Sequence, residues 1–420
     1  MRMHFVLLAL LLMSGVVGGG ITPVLAQDGT PQVDYVALGN AALEARDFEV
    51  ALMYFNRALD FNPRSIEAIN GRAQAYYGLG DYAATIEDYT TIIELGEATS
   101  VTYYNRGLAY SAQGEWEQSN LDLTRVIEAD AELAPAAYVT RGYNYFAQDA
   151  IESALEDFDA ALRLRPDYAP AYLERGKAML AQGDQEEALA NFNRAIGLDV
   201  EYAEAYHTRG ILYFQQGNFE AALLDFNRTL ALDPHFPNAY YNRGNVYVAL
   251  DNYEAALNDY FEAYNQNENL EGLVSAGSLL AHYFNDFQAA IDTFNIVLAI
   301  EPERPEVLAE RGWAFFNLYE YFYAIDDLDQ ALALDPDYMT AYVYRAHTRL
   351  AQGDVNGAYE DFDAALALEP QYIPALLGRA YLHLSLDNTD AAIRDFEAYI
   401  AIIGQGSDPE IEALLAELKN

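Results

Sequence analysis

The apolar positions of this chain follow a helical spacing that stops and restarts at regular intervals. The stretch "AAYVTRGYNYF" at residues 136–146 is apolar along one helix face, and "LEDFDAAL" at 155–162 has the same spacing. Turn-forming residues separate such stretches, as in "QGDQ", "QGNF", "LDNY" and "QGDV". Apolar residues spaced by three and four, divided by glycine, aspartate and asparagine, predict pairs of helices about 14 residues long.

The helix pairs recur with a constant period. An aromatic residue followed by Arg-Gly marks them: "YYNRGLAY" begins at residue 103, "YVTRGYNY" at 138, "YLERGKAM" at 172 and "YHTRGILY" at 206. These starts differ by 34 residues, apart from one step of 35 across the turn "ADAELAP". A fixed period of this kind predicts a repeat array, because a single helix pair cannot bury its apolar face alone.

The repeated positions resemble those of the tetratricopeptide repeat (TPR) family. In the unit 135–168 the residues that carry the resemblance are Tyr138, Gly142, Tyr145, Ala154, Phe158, Ala161 and Pro166. The resemblance covers residues 32–406, which divide into eleven units: 32–65, 66–99, 100–133, 135–168 and seven more that end at 406. It implies an all-α fold, a right-handed superhelical solenoid of helix-turn-helix units.

Two segments of the array differ from the rest. Unit 271–304 has Val274 where most other units have an aromatic residue and Ser278 where most have glycine, and the turn before it lacks a proline. We expect this unit to form the weakest packing contacts of the array and to be a candidate hinge. Residues 407–420 predict a capping helix with Ser407 or Asp408 as N-cap, Pro409 in the first turn and one apolar stripe.

An arginine at the seventh position of nine units stands among residues that should be buried, and eight units carry an aspartate 16 residues later. The two units without the arginine, which have Leu38 and Gly277, also lack the aspartate. A buried charge without its partner is costly, so this joint loss predicts a bidentate ion pair within each unit. The predicted pairs are Arg72–Asp88, Arg106–Asp122, Arg141–Asp157, Arg209–Asp225, Arg243–Asp259, Arg311–Asp327, Arg345–Asp361 and Arg379–Asp395; Arg175 faces Asn191 instead.

Charge and composition restrict the partners. The chain has 65 acidic and 23 basic residues, a net charge of −42. Such a surface repels phosphate backbones, so nucleic acid is not expected as a partner and the arginines are interpreted as structural rather than as a polyanion site. The acidity favours solubility, with attraction of a basic partner as the alternative. The absence of cysteine excludes disulfides and thiolate metal sites.

The N-terminus predicts an export signal. Residues 1–26 combine Arg2 with an apolar core from Phe5 to Met13, and Val24 and Ala26 provide the small residues of a cleavage site. We expect cleavage after Ala26, a linker at 27–31 and a periplasmic, cell-surface or extracellular location. An uncleaved N-terminal membrane anchor is the alternative.

Motifs for catalysis or cofactor binding are absent from the sequence. No two of the six histidines lie three to five residues apart, and no nucleotide-binding or hydrolase signature occurs. We therefore expect a non-enzymatic protein without a cofactor.

The resemblance also implies where a partner binds, because first-helix positions 2, 5, 9, 12 and 13 line the inner face of the superhelix in this family. Apart from Lys177, the lining carried over to this chain is aromatic and neutral, so we expect a protein or peptide partner with apolar or aromatic anchors. The candidate groove residues are Tyr77, Tyr104, Tyr143, Phe146, His207, Phe214, Tyr241, Asn245, His282, Trp313, Phe316, His347 and Tyr381.

The expected function is thus an exported interaction scaffold. Two alternatives remain open at this point. One is an accessory protein of an envelope carbohydrate or cell-wall enzyme system, and the other is a self-assembling structural protein.

Overall fold

The structure is a computed structural model that describes residues 24–25 and 31–419. Val24–Leu25 (β1) and Pro31–Gln32 (β2) form a short antiparallel pair in which Val24 lies opposite Gln32. The predicted signal peptide and linker otherwise fall outside the described residues. Within the described part of the chain, no helix is both long enough and apolar enough to span a bilayer.

The chain is divided into two compact units, with the boundary between Leu212 and Tyr213. The helices of the first unit are α1 (Tyr35–Glu44), α2 (Phe48–Phe61), α3 (Ile66–Gly78), α4 (Tyr82–Glu94), α5 (Ser100–Gln113), α6 (Trp116–Ala129), α7 (Ala134–Ala147), α8 (Ile151–Leu164), α9 (Ala169–Ala181) and α10 (Gln185–Leu198). The boundary falls inside α11 (Ala203–Gln215).

The second unit continues with the remaining helices. They are α12 (Phe219–Leu232), α13 (Ala239–Ala249), α14 (Tyr253–Asn267), α15 (Leu270–His282), α16 (Phe287–Ile300), α17 (Pro305–Asn317), α18 (Tyr321–Leu334), α19 (Met339–Ala351), α20 (Val355–Leu368), α21 (Ile373–Ser385), α22 (Thr389–Ile403) and α23 (Pro409–Leu418). From α1 to α10, and again from α12 to α23, each helix packs against the next. This stacking confirms the prediction of an all-α helix-pair solenoid within each compact unit.

The turn inside each helix pair contains one residue in the left-handed backbone region. Because that region is open to glycine and tolerated by aspartate and asparagine, the predicted turn residues fit it. Arg46, with φ +58°, and Tyr319, with φ +63°, are the two exceptions with large side chains. The residues at this place are Arg46, Gly80, Gly114, Asp149, Gly183, Gly217, Asp251, Asn285, Tyr319, Gly353 and Asp387, and they recur with the same phase as the repeat.

A buried ring of the second helix packs directly onto a glycine of the first helix. A Cβ atom at Gly142 would lie 2.6 Å from the ring of Phe158, and one at Gly277 would lie 2.5 Å from the ring of Phe294. Both rings are fully buried. The glycines therefore set how closely the two helices of a pair approach, since any side chain there would overlap the ring.

An ion pair joins the two helices of most repeats. Nε and Nη2 of the arginine donate to the two oxygens of a buried aspartate at 2.6 to 3.2 Å. The structure has this arrangement for Arg72–Asp88, Arg106–Asp122, Arg141–Asp157, Arg243–Asp259, Arg311–Asp327, Arg345–Asp361 and Arg379–Asp395. The pair Arg209–Asp225 spans the boundary between the compact units and stays a prediction.

The same arginines also form a hydrogen bond to the preceding repeat, a contact that the sequence pattern did not predict. Nη1 of each donates to a polar side chain on the second helix of the repeat before it. For Arg175, whose own repeat offers Asn191, this contact supplies the carboxylate: Nη1 lies 2.7 Å from Asp159 Oδ1. The acceptors are Asn56, Thr90, Thr124, Asp159, Asn193, Asn227, Asn295, Asp329 and Asp363. Apart from Arg209, each of these arginines thus links three helices.

Unit 271–304 replaces these polar links with apolar packing. Ala276 and Thr293 stand where the ion pair would be, because α15 begins one residue early. Gly277 therefore takes the place of the repeated glycine on the Phe294 ring. Phe261 occupies the acceptor place of the preceding repeat. Phe261 packs against a buried cluster that includes Leu273 and Phe294. The unit is therefore well packed, and the hinge there stays a prediction.

Helix α23 covers the end of the last pair. Ile411 and Leu415 are buried in one cluster with Phe396 and Tyr399. Asp408 is the N-cap, since its Oδ1 accepts from the Ile411 N–H at 3.1 Å. Residues 409–418 of the predicted capping segment thus form a helix, and of the two N-cap alternatives, Ser407 and Asp408, it is Asp408 that caps α23.

Candidate functional site

Four aromatic side chains cluster on the first helices of the second unit. The Trp313 ring stacks on Tyr344 with a centroid distance of 4.7 Å and on Phe316 at 5.0 Å. His347 meets the same indole edge-on at 6.4 Å. All four side chains are half-buried. This aromatic cluster, Trp313, Phe316, Tyr344 and His347, includes three of the predicted groove residues.

A carboxylate lies beside the aromatic cluster. Glu310 Oε2 is 2.7 Å from Nε2 of His282, and Glu310 Oε1 accepts a hydrogen bond from Tyr344 Oη at 3.3 Å. The hydrogen bond to Glu310 raises the pKa of His282, whereas burial lowers the pKa of His347. The pKa values of these two histidines of the same face therefore lie on opposite sides of the ordinary histidine value.

The two histidines should titrate separately. We expect His282 to titrate above about 6.5 and His347 below it, because an acceptor favours the charged ring and burial disfavours it. His282 therefore contributes stability that is fully present below about pH 6.5 and is lost as the pH rises through its pKa. For His347, whose pKa is lowered, stability is instead lost as the pH falls through its pKa. Ring-proton NMR, assigned with His282→Asn and His347→Asn, measures both values. Glu310→Gln should return His282 towards 6.5, and an unchanged His282 in that variant would contradict the assignment.

A cavity of about 450 Å³ opens next to His282. Tyr260 and Val248 line it from the preceding repeat, and Val274, Ser278, Leu279, Ser275, His282 and Tyr283 of α15 form the rest. The Tyr260 hydroxyl donates to Asn245 Oδ1 at 2.7 Å, and its ring lies 5.7 Å from that of Tyr241. Of the predicted groove residues, His282 lines the cavity, and Tyr241 and Asn245 contact Tyr260 in its wall.

The corresponding face of the first unit carries a charged triad. Lys177 Nζ lies 2.8 Å from Glu174 Oε1 and 2.6 Å from Glu204 Oε1. Burial opposes the charge of Lys177, but the two glutamates outweigh it and raise its pKa. Tyr143 of this face is half-buried, and Trp116 meets its ring edge-on at 6.5 Å. The cation that the sequence places on this face is neutralised by carboxylates.

Two of the predicted groove residues lie in the interior. Tyr77 is 2% exposed and Tyr104 is 1% exposed, and both belong to a buried cluster with Leu108 and Leu123. Their assignment to a groove was wrong, because neighbouring helices cover the rings on all sides. Tyr381 is half-exposed at 50%. Phe146, His207 and Phe214 are half-buried.

Two acidic residues of this face were not among the predicted groove residues. Glu174 and Glu310 are the acidic residues at the sixth position of any repeat, and each has a lysine or histidine partner. That position could have identified them. In residues 24–25 and 31–419, no three histidine, aspartate or glutamate side chains are grouped so as to hold a metal ion.

Comparison with family models gives consistent matches. Models described as "TPR repeat" match residues 142–183, 176–217 and 210–251. Models described as "Tetratricopeptide repeat" match residues 36–98, 237–269 and 349–418. Together the matches cover well over half of the chain, on both sides of the boundary between the compact units.

Similar proteins of known name share only part of their length with this chain. Tetratricopeptide repeat protein 36 of Danio rerio is 32% identical over 100 residues, 23% of this chain and 54% of that protein. Hsp70-Hsp90 organizing protein 1 of Arabidopsis thaliana is 28% identical over 99 residues, 24% of this chain and 16% of that protein. The chain therefore spans about half or less of the length of these relatives.

Solved structures with similar helix arrangements are more distant in sequence. The APC/C hetero-tetramer Cut9-Hcn1 is 15% identical, with 94% of this chain and 97% of that chain covered and a TM-score of 0.45. Yeast Tom70 is 18% identical, with 92% and 95% covered and a TM-score of 0.42. The repeat phase, the stacked helix pairs and the family-model matches agree, and the chain belongs to the tetratricopeptide repeat family.

Proposed function

We propose that this protein is a non-enzymatic interaction scaffold that binds an extended segment of a partner protein on the first helices of its second unit. The observation that carries the proposal is the aromatic cluster beside a cavity of about 450 Å³ on the same face. Half-buried tryptophan and tyrosine rings are rigid and lose little entropy on binding, which makes them typical anchors of protein interfaces.

The charge of the site favours a partner that does not depend on carboxylate recognition. Glu310 places a negative charge beside the aromatic cluster. A peptide would therefore bind through apolar and aromatic contacts and main-chain hydrogen bonds. The similarity to Hsp70-Hsp90 organizing protein 1, a protein whose name describes the organisation of other proteins, supports a scaffold role without identifying the partner.

The proposal includes export. The apolar N-terminal segment that ends near Ala26 supports a periplasmic, cell-surface or extracellular location. End-to-end self-assembly is less favoured, because α23 buries Ile411 and Leu415 over the last helix pair and so covers one end of the array. Binding of envelope carbohydrate on the aromatic face is the outcome that a glycan array would reveal.

Replacing Trp313 with alanine should weaken peptide binding by about 2 kcal/mol, or roughly 30-fold, because the indole is the centre of the stacked cluster. The binding constant is measured by fluorescence anisotropy with peptides selected on the wild-type chain from a random 12-residue display library. Trp116→Ala removes the other tryptophan, which lies in the first unit, and serves as the matched control.

Circular dichroism melting of both variants separates lost binding from lost folding. If Trp313→Ala keeps its helical melting curve and binds the selected peptides as tightly as the wild type, the proposed site is wrong. If the wild type selects no peptide but retains glycans on an array, the scaffold proposal gives way to the carbohydrate one.

A further inference from the structure

The cavity beside His282 arises from the repeat that departs most from the common pattern. Helix α15 begins one residue early in its unit, at Leu270, and Gly277 rather than Ser278 packs on the second-helix ring, that of Phe294. Ser278 lines the cavity at the place where the neighbouring repeats carry Asn245 and Trp313, and its small side chain leaves the volume open. The departure from the pattern thus creates space rather than a defect in packing.

The walls of the cavity suit an apolar side chain with some polar character at its rim. Val248, Val274 and Leu279 provide apolar surface, while the hydroxyls of Ser275 and Ser278 provide hydrogen-bonding groups. A volume of about 450 Å³ is within the range of pockets that hold small ligands, and it exceeds what one large side chain fills. A leucine, phenylalanine or tryptophan side chain of a bound peptide fits such a site.

A negative charge adjoins the rim of this cavity. His282 lines the cavity, and its Nε2 lies 2.7 Å from Glu310 Oε2. The other carboxylate oxygen accepts from the neutral hydroxyl of Tyr344. When His282 is neutral, neither contact compensates the charge of Glu310. A cation brought to this carboxylate would gain a charge-assisted hydrogen bond in a half-buried setting.

We propose that the bound segment is a basic one, which places an apolar side chain in the cavity and an adjacent lysine or arginine at Glu310, against the Tyr344 and Trp313 rings. This inference rests on the proposed function and specifies its partner. The net charge of −42 favours the same partner, because it attracts a basic segment over long range.

The test uses the full chain and a displayed library of random 12-residue peptides. We expect the selected peptides to contain Lys or Arg within three residues of Leu, Phe or Trp. Glu310→Gln should weaken the consensus peptide roughly tenfold, the loss of one charge-assisted bond, and should remove the preference for a basic residue in a new selection. The matched control is Glu360→Gln, an exposed glutamate of α20.

A second variant tests the cavity separately. Ser278→Leu places a large apolar side chain in part of the cavity and puts a good helix-forming residue in α15, which favours retention of the helix. We expect this variant to lose the preference for a large apolar residue and to keep the preference for a basic one. The two variants therefore change different features of the selected sequences.

The outcomes distinguish this inference from the function on which it rests. Selected peptides without a basic residue, or consensus binding unchanged by both Glu310→Gln and Ser278→Leu, overturn the inference, whereas loss of the same peptides in Trp313→Ala still supports the scaffold. Failure of the wild-type chain to select any peptide overturns both.

Discussion

Replacing Arg141 with leucine should lower the free energy of unfolding by about 3 kcal/mol, the lower end of the cost of breaking a buried ion pair. The substitution leaves Asp157 buried without the guanidinium that donates to both of its oxygens at 2.8 Å. It also removes the hydrogen bond from Nη1 to Thr124 at 2.9 Å. The loss should appear in the repeat of Arg141 and in the repeat before it.

Replacing both members of the pair should restore most of this stability. Arg141→Leu with Asp157→Leu removes the buried charge together with its partner, and apolar replacement of a whole buried pair is often neutral or stabilising. The equivalent aspartates support this expectation. Burial raises the pKa of Asp88 and of Asp327, against the opposing effect of their arginines, so desolvation of the carboxylate outweighs the return from pairing.

Native-state hydrogen exchange of α7 and α8 is the appropriate measurement, because repeat arrays do not unfold as a single two-state unit. Arg57→Leu is the control, since Arg57 pairs with Asp60 on the surface at 3.4 Å and is 58% exposed. That variant should exchange as the wild type does. If the single and the double variant lose protection from hydrogen exchange equally, the arginine acts through packing of its alkyl chain rather than through the ion pair.

Replacing Phe294 with alanine should lower the free energy of unfolding by about 3 to 5 kcal/mol, as other replacements of a buried phenylalanine by alanine do. Phe294 is fully buried in the repeat that lacks the Arg–Asp ion pair, where it belongs to an apolar cluster that joins α15 and α16. The same measurement, hydrogen exchange of α15 and α16, should show the loss. Phe322→Ala is the matched control, because that ring is 77% exposed on α18.

The effect of Gly277→Ala on the free energy of unfolding should have opposite signs in two backgrounds. In the wild-type chain the new Cβ would lie 2.5 to 2.9 Å from three atoms of the Phe294 ring, so the substitution should destabilise. In the Phe294→Ala background that obstacle is gone, and alanine should stabilise the helix by up to about 1 kcal/mol relative to glycine. Destabilisation of equal size in both backgrounds would mean that Gly277 is required for a reason other than the Phe294 ring.

Much of the fold could be predicted because the repeat signal is local. The 34-residue period, the turn residues and the apolar spacing all depend on helices that are adjacent in the chain. The joint absence of arginine and aspartate from the units of Leu38 and Gly277 predicted the partner within a repeat for the same reason. The candidate site was less predictable: Trp313 and His282 lie together on one face, but Tyr77 and Tyr104 are interior.

The sequence by itself determined the all-α repeat class, the phase of the helix pairs outside unit 271–304 and, in seven repeats, the pairing of an arginine with the aspartate 16 residues later. Only the tertiary structure decided which rings are covered, which acceptors of the preceding repeat the arginines reach, and that α15 is shifted by one residue so that Ser278 lines a cavity beside His282 and Glu310. The physical reason is that helix phase depends on spacing along one segment. Burial and free volume depend on the sizes of side chains that different repeats bring together.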